Sequence, residues 1–314
     1  ENPKIDINSL SVEDKIIKGT LYFAVESNNT EIFQIILNNP NIDINSQLKN
    51  DHSKDLLLSI AIQNKNIEIV KLLLNIYKNE KVTDFGTSFI TAISINEIEF
   101  VKCLLSSYPD IDVNNQIETY NHNNKSRHQI TYLDKVNQSL ITYTFLSYFR
   151  STYNFYTDYY YHDDKRTPLT MALKNNNNEI IKLLLSNPEI NINLYYIKNS
   201  KIETPLNIAI QNGNMEIINL FLSDPKIDVN FTPKYEIKIK WRFPIDIFFC
   251  DEEKYSKYEG ETALMVAIMN NNLEVVKILL SREDIDVNNK SIYFDKYNQE
   301  KTSLFAAVEK GNLE

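Results

Sequence analysis

The chain has 314 residues, of which 43% are hydrophobic and 24% are charged, and its formal net charge is −9. This share of apolar side chains is enough to build a packed globular core. An acidic chain lacks the clustered Lys and Arg that displace counterions from nucleic acid, so we expect no nucleic-acid partner. No apolar run approaches the roughly 20 residues that a membrane-spanning helix needs, so we expect no membrane span.

Cysteine is rare in the chain, which contains only Cys103 and Cys250. Two cysteines cannot supply a disulfide framework, so we expect a reducing, cytoplasmic location. The first residues do not show a charged segment followed by an apolar one, so we expect no signal peptide. Asn, Ile and Lys are over-used, which we attribute to the codon bias of an AT-rich, protist-like genome.

A short pattern recurs seven times along the chain, and each copy contains an Ala followed seven residues later by a Glu. In six copies an Asn stands five residues after the Ala, and Glu97 is the exception. An Asn side chain accepts a hydrogen bond from a free N–H group in the first turn of a helix. The Glu then meets the positive end of the helix dipole. We therefore predict a helix after each Asn and another around each Ala: Ala24, Ala61, Ala92, Ala172, Ala209, Ala267 and Ala307.

The first helix of each unit is predicted to begin at a Thr-Pro step, as at residues 204–205, because Thr caps a helix and Pro fits its first position. The second helix, as in residues 179–185, carries apolar residues at helical spacing that need burial. An Asn-Pro or Asp-Pro step ends it. The alternating Ile-Asp-Val-Asn that follows predicts an extended segment leading into a hairpin. The sequence therefore predicts an all-α repeat solenoid whose core forms between neighbouring units.

This unit resembles an ankyrin repeat in its Thr-Pro-Leu-x-x-Ala motif, its Glu-Ile-Ile-Lys-Leu-Leu-Leu second helix and its terminal Asp-Val-Asn. The resemblance implies stacked helix pairs with hairpin fingers that project from one face. It also implies a non-catalytic scaffold that binds protein partners through its concave helical face and its finger tips. We place the repeats of one array, residues 1–314, at approximately 19–45, 55–82, 86–114, 166–193, 203–230, 260–288 and 301–314, the last being partial.

Two features depart from the family pattern. The His that usually follows Thr-Pro-Leu is replaced by Thr170, Asn207 or Met265, so the capping network of that His is either rebuilt or absent. Successive Ala residues of the pattern are 31 to 80 residues apart, against about 33 for an ankyrin repeat. The longest interval contains the Tyr-rich residues 115–165. We keep two interpretations of this segment, a degenerate extra repeat and a long aromatic finger.

Residues 231–259 are predicted to form a second unusually long finger. Residues 235–243 alternate between polar and apolar side chains, which predicts a strand, and they include the only Trp of the chain. Aromatic and Arg residues on a projecting element are frequent anchors of protein interfaces. The alternative is that Trp241 folds onto the adjacent helix as local core. The candidate partner-binding residues are Tyr235, Lys238, Lys240, Trp241 and Arg242 in this finger, and Tyr159 and Tyr160 in the Tyr-rich segment.

No catalytic, cofactor or metal site is predicted. The five glycines stand at repeat turn positions, which leaves none for a phosphate-binding loop. Residues 110–114 resemble the start of a calcium loop, but Asn115 and Asn121 stand where Gly and Glu are needed. Three of the four histidines lie within residues 115–165 without the spacing of a metal site. Cys103 occupies the position of Leu183 in another unit, so we predict a core residue rather than a nucleophile.

The two ends resemble interrupted repeats. Residues 2–8 match the tail of a unit, and Glu314 stands where a second helix would begin, so we expect an interior fragment of a longer array. The predicted function is a non-catalytic protein-interaction scaffold that is monomeric and has no cofactor. The alternative function is a targeting or autoinhibitory arm of a larger kinase, channel or protease that lies outside this sequence.

Overall fold

The computed structural model describes residues 7–13, 16–43, 51–78, 85–115, 117–119, 157–158, 164–198, 201–241, 253–292 and 300–311. The chain divides into two compact units. Unit 1 comprises Glu1–Asn115 and Met171–Ile190, and unit 2 comprises Gln116–Thr170 and Asn191–Glu314. No helix within the described ranges combines the length and the hydropathy that crossing a bilayer requires.

Unit 1 is built from consecutive helix pairs. First helices pack against first helices (α1 on α3, α3 on α5), and second helices pack against second helices (α2 on α4, α4 on α6, α6 on α8). Part of α7 belongs to unit 2. The helices are α1 (Thr20–Glu26), α2 (Thr30–Leu37), α3 (Asp51–Gln63), α4 (Ile67–Tyr77), α5 (Gly86–Ser94), α6 (Ile98–Ser107), α7 (Pro168–Lys174) and α8 (Asn178–Leu185), and the strands are β1 (Ser11–Glu13) and β2 (Ile16–Lys18).

Unit 2 continues the same alternation of helix pairs and hairpins, with α9, α11 and α13 packed in succession. Its further helices are α9 (Pro205–Asn212), α10 (Met215–Ser223), α11 (Ala263–Met269), α12 (Leu273–Leu280) and α13 (Ser303–Lys310). Its strands are β3 (Ile117–Thr119), β4 (Thr157–Asp158), β5 (Asp164–Arg166), β6 (Tyr196–Lys198), β7 (Lys201–Glu203), β8 (Lys234–Trp241), β9 (Glu253–Glu259), β10 (Lys290–Ile292) and β11 (Glu300–Thr302).

The strands form antiparallel fingers between successive helix pairs. Strands β1 and β2, β3 and β5, β6 and β7, and β10 and β11 form two-stranded ladders, whereas β4, β8 and β9 form a three-stranded sheet. Neighbouring fingers of unit 2 touch, because β5 contacts β6 and β9 contacts both β7 and β10. Most of the Tyr-rich segment lies between β3 and β5 in the sequence. Residues 120–156 lie outside the described residues, so both interpretations of the segment stay open. The predicted fold class, a helical repeat solenoid with hairpin fingers, is confirmed.

The predicted helix caps are observed. The second helices α2, α4, α8, α10 and α12 begin after an Asn whose side chain accepts a hydrogen bond from the N–H of the third helical residue. Glu97, the exception in the sequence pattern, makes no such bond. At two of the positions where the family has His, the residue present makes a hydrogen bond of its own. The Thr170 hydroxyl accepts from the Thr167 N–H at 3.0 Å, and Asn207 Nδ2 donates to the Glu261 carbonyl at 2.7 Å.

The turn between the two helices of each pair uses a left-handed residue. This residue stands four positions after the Ala of the sequence pattern, and its φ lies between 53° and 71°. Asn and Gly adopt this conformation more readily than other residues do. Part of the Asn content therefore has a structural role, which codon bias alone does not provide. The residues are Asn28, Lys65, Asn96, Asn176, Gly213, Asn271 and Gly311.

The Asn at the end of the Asp-Val-Asn motif joins its repeat to the next one. In unit 2, Asn193 Nδ2 donates to the Lys226 carbonyl at 2.8 Å, while its Oδ1 accepts from the Asp228 N–H at 3.2 Å. Asn230 repeats this geometry with the Asp284 carbonyl at 2.6 Å and the Asp286 N–H at 2.8 Å. The motif predicts an extended segment, but the structure has turns at residues 225–226 and 229–230, where the Phe231 N–H donates to the Asp228 carbonyl at 3.3 Å. The structure adds a two-point link between backbones, which also occurs at Asn8 in unit 1.

Replacing Asn230 with alanine is expected to lower the free energy of unfolding by about 1–2 kcal/mol, because two backbone groups of the next repeat lose their partner. Urea unfolding followed by circular dichroism measures this change. The matched control is Asn219→Ala, at an exposed position of α10, for which we expect a change within about 0.5 kcal/mol. Equal stability of the two variants would show that the two-point link contributes nothing.

Candidate protein-binding site

The finger formed by β8 and β9 is much longer than the fingers beside it. Its strands have eight and seven residues, whereas β6 and β7 have three each. The alternation of polar and apolar residues predicts a strand over residues 235–243, and β8 at Lys234–Trp241 confirms it for residues 235–241. Residues 242–243 lie outside the described residues. Strand β9 pairs with β8 along almost its whole length.

The register of the pairing divides the finger into two faces. Cross-strand partners share a face, and successive residues of a strand alternate between faces. One face therefore contains three pairs of opposite charge, which are Lys234 with Glu259, Glu236 with Lys257 and Lys240 with Glu253. The other face contains every apolar residue of β8. They are Tyr235, Ile237, Ile239 and Trp241.

The strand alternation assigns the candidate binding residues in β8 to two different faces. Tyr235 and Trp241 share the apolar face, whereas Lys238 and Lys240 belong to the charged face. The sequence shows Trp241 between basic residues, and the strand alternation separates them. Arg242, Tyr159 and Tyr160 lie outside the described residues, and the role of all seven candidates in binding stays a prediction.

Strand β4 brings the Tyr-rich segment to the long finger. Thr157 pairs with Trp241 and Asp158 pairs with Lys240, so the residues directly before Tyr159 form part of the same sheet as β8. The two segments singled out in the sequence thus share a sheet. No local pattern indicates this pairing, because the two partners are more than 80 residues apart in the chain.

A buried glycine fixes the base of the long finger. The Gly260 N–H donates to the Pro233 carbonyl at 2.8 Å, and both residues are buried. A Cβ atom at Gly260 would lie 2.8 Å from Pro233 Cγ and 2.9 Å from its Cδ. A side chain at this position would therefore require the Pro233 ring or the backbone beside it to shift.

Two acidic residues flank the same base. The Glu203 side chain is buried, and its Oε1 lies 2.6 Å from Lys201 Nζ. Burial raises the pKa of the Glu261 carboxyl, the charge of Lys201 opposes this effect, and the charge of Glu203 adds to it. Charge on Glu261 is thus disfavoured in the folded protein.

Replacing Glu261 with glutamine is expected to raise the melting temperature at neutral pH. Folding raises the pKa of the Glu261 carboxyl. The contribution of this carboxyl to the free energy of unfolding is therefore fully present at a pH below the pKa that it has in the unfolded chain. That contribution is lost as the pH rises through the folded pKa, and glutamine carries no such dependence. Thermal unfolding across an acid-to-neutral pH series should show a difference that disappears in acid. Glu283→Gln, at an exposed position, is the control. A pH-independent difference would assign the effect to packing.

The described residues supply no cluster of side chains for metal binding. They contain no group of three or more His, Cys, Asp or Glu residues that could hold a metal ion. Asp112 Oδ1 accepts from the Asn114 N–H, and Asn114 Nδ2 donates to the Glu189 carbonyl, so the calcium-like motif has a structural use. Cys103 is half-buried rather than fully in the core, as is Leu183 at the equivalent position. Burial raises the pKa of the Cys103 thiol, which disfavours the nucleophilic thiolate.

Comparisons with known proteins identify the repeats. The family model of ankyrin repeats (three copies) matches residues 20–117, 139–232 and 242–314. The ankyrin repeat domain of Bcl-3, a member of the IkappaB protein family, is a similar solved structure. It has 18% sequence identity and a TM-score of 0.48, over 92% of this chain and 94% of that chain. No curated protein matches the chain.

Ankyrin repeats are generally protein–protein interaction modules and are typically not enzymes. Because the family model covers most of its length, the chain belongs to the ankyrin repeat family.

Proposed function

We propose that this chain is a non-catalytic scaffold that binds another protein through its helical face and, above all, through the long finger of β8 and β9. The observation that carries the proposal is the length of this finger, with strands of eight and seven residues, in a family that generally binds proteins. Three-residue strands suffice for a finger elsewhere in unit 2. The additional length therefore has a use beyond connecting two helix pairs.

The two faces of the finger suit different tasks in an interface. Trp and Tyr are enriched among the few desolvated residues that supply most of the binding energy of protein interfaces. The face with Tyr235 and Trp241 offers such residues, together with two Ile. On the other face, cross-strand pairs of opposite charge stabilise the hairpin, and charge on a strand opposes unspecific pairing with other chains. The apolar face is therefore the contact that we propose for the partner.

A shortened finger tests the proposal. Replacing residues 236–257 with Asn-Gly keeps the pair of Tyr235 with Tyr258 and the base at Gly260, and Asn-Gly favours a two-residue hairpin turn. The intact and shortened proteins are used for affinity capture from lysate of the native cell, with quantitative mass spectrometry. We expect at least one protein to be captured by the intact chain alone. Identical captured sets would assign recognition to another surface.

Point variants separate partner binding from a local packing role of Trp241. Trp241→Ala is expected to abolish capture while the melting temperature stays unchanged, and Glu236→Ala on the opposite face of β8 serves as the control. A lower melting temperature with unchanged capture would instead make Trp241 part of the local core and contradict its proposed role in binding.

We also propose an intracellular, reducing location for the protein. The support is the presence of only two cysteines, one of which, Cys103, carries a free thiol. Alkylation of protein isolated from the native cell without added reductant should modify both thiols, as mass spectrometry can show. A disulfide at either cysteine would contradict the proposal.

A further inference from the structure

The repeats on either side of the Tyr-rich segment lie in direct contact. In unit 1, α6 packs against α8, although residues 108–177 lie between these two helices in the chain. Asn175 Nδ2 donates to the Ile93 carbonyl at 2.8 Å. Asn177 Nδ2 donates to Asn96 Oδ1, also at 2.8 Å. Neighbouring helices pack about 8–10 Å apart, so hydrogen bonds of this length leave no room for another repeat between the two.

The same two hydrogen bonds join repeats that directly follow each other in the chain. Asn64 Nδ2 donates to the Val25 carbonyl at 3.2 Å. Asn66 Nδ2 donates to Asn28 Oδ1 at 2.9 Å. These four residues stand at the same positions, counted from the Ala of the pattern, as the four residues that bridge the Tyr-rich segment. The contact across the segment is therefore an ordinary contact between consecutive repeats.

The Asn at the end of the Asp-Val-Asn motif makes its usual link across the same interval. Asn114 Nδ2 donates to the Glu189 carbonyl at 2.7 Å. In the same unit, Asn8 makes the equivalent bond to the Asn41 carbonyl at 2.7 Å. Three kinds of bond that join neighbouring repeats elsewhere thus also join the two repeats that flank the Tyr-rich segment.

The finger between these two repeats begins and ends as an ordinary finger does. Strand β3 starts three residues after Asn114, and β6 starts three residues after Asn193. Strands β5 and β7 each end directly before the Thr of a Thr-Pro step. Both strand pairs are antiparallel, with three residues in each strand. The two fingers differ in their connection, because residues 120–163 stand where the β6–β7 finger has residues 199–200.

Strand β4, the described part of residues 120–163, lies among the fingers. It pairs with β8 of the long finger, where Asp158 is opposite Lys240. A repeat within this interval would instead have to place its helices between α6 and α8, and that position is closed by their direct contact.

We propose that residues 120–163 are an insertion in an ordinary finger and that the repeats at 86–114 and 166–193 are consecutive members of the array. The longest interval of the pattern then contains one boundary between repeats instead of two. The proposal departs from the family match for residues 139–165, which lie within that match. It also makes α2, α4, α6 and α8 one uninterrupted row of second helices, to which the insertion adds nothing.

Crosslinking of the whole chain tests whether the two repeats are neighbours. Glu99 of α6 and Glu179 of α8 are exposed at the same position of their helices. Both are replaced with cysteine in a chain that carries Cys103→Ser and Cys250→Ser. A bismaleimide that spans one helix spacing, about 8–10 Å, but not two should join the new cysteines. Mass spectrometry of the digested protein detects the linked peptides.

Two matched pairs of exposed Glu calibrate the reagent. Glu31→Cys with Glu68→Cys places the thiols on α2 and α4, which pack together, and this pair should crosslink to the same extent as the test pair. Glu31→Cys with Glu99→Cys places them two repeats apart and should give no crosslink. If the pair of Glu99 with Glu179 behaves like the distant pair, a repeat lies between α6 and α8 and the proposal is wrong.

Removing the insertion provides a second test. Replacing residues 120–163 with Asn-Gly, which favours a two-residue hairpin turn, should shift the melting temperature by no more than about 4 °C, because no contact between repeats is lost. The control deletes residues 167–203, a complete repeat, and should lower the melting temperature much further, because each repeat is stabilised by its neighbours. A loss as large as that of the control would show that residues 120–163 support the stack, and it would overturn the proposal.

Discussion

Replacing Leu184 with alanine is expected to lower the free energy of unfolding by about 2–5 kcal/mol, the largest effect of any substitution considered for this protein. Leu184 lies in α8 and has no exposed surface. In unit 1, α8 packs against α6, so its apolar side fills space between two repeats. Alanine would leave a cavity there, because neighbouring side chains relax only partly into the space of the lost atoms.

Urea unfolding measures this change, and Leu280→Ala is the matched control. Leu280 is the last residue of α12, another second helix, but it is 51% exposed, so its truncation should change stability by no more than about 0.5 kcal/mol. Repeat arrays can unfold in parts, so circular dichroism and fluorescence should be compared for coincident transitions. A loss below about 1 kcal/mol for Leu184→Ala is inconsistent with the helix register of α8.

Gly260→Ala is expected to lower stability by about 1–3 kcal/mol, the range found when extra atoms are forced into packed sites. The new Cβ would lie within 3 Å of two ring carbons of Pro233 and 3.3 Å from the Ile202 carbonyl oxygen. A proline ring cannot rotate away from such a contact as a flexible side chain can. The backbone at the base of the long finger must therefore move.

A double-mutant cycle with Pro233→Ala tests this cause. Alanine at Pro233 removes the two ring carbons that collide but keeps the carbonyl that accepts from the Gly260 N–H. The double variant should therefore lose less stability than the sum of the two single variants. Thermal unfolding of all four proteins provides the values. Strict additivity would show that the collision with Pro233 is not the reason for glycine at this position.

Most of the fold could be predicted because its determinants are local. The helix starts follow from Asn and Thr caps a few residues from the helices that they stabilise, as at Asn214 and Thr204. The burial of Leu184 follows from helical spacing within one segment. The strand β8 follows from alternation over nine residues. The pattern also recurs seven times, so the repeat can be recognised even though one copy has Glu97 in place of the capping Asn.

The candidate site could be predicted only in part. The sequence indicated the long finger, but it grouped Trp241 with Lys238 and Lys240, which the strand alternation places on the opposite face. The pairing of β4 with β8 and the role of Pro233 beside Gly260 were missed, since each depends on backbone segments far apart in the chain. The link made by Asn230 to the next repeat was missed for the same reason. The sequence signal for this link was the Asn that recurs at the end of the Asp-Val-Asn motif.

The sequence by itself determined the repeat, its two helices, their caps and the presence of long fingers, because each depends on neighbouring residues and recurs. Only the tertiary structure decided which side chains meet across repeats and which stay exposed. Leu264 and Leu304 illustrate the difference, since they occupy the same position of the same motif, yet one is buried and the other is 72% exposed. In a repeat protein, a side chain becomes buried when two neighbouring units pack together. The motif of one unit contains only one of the two surfaces that make this contact.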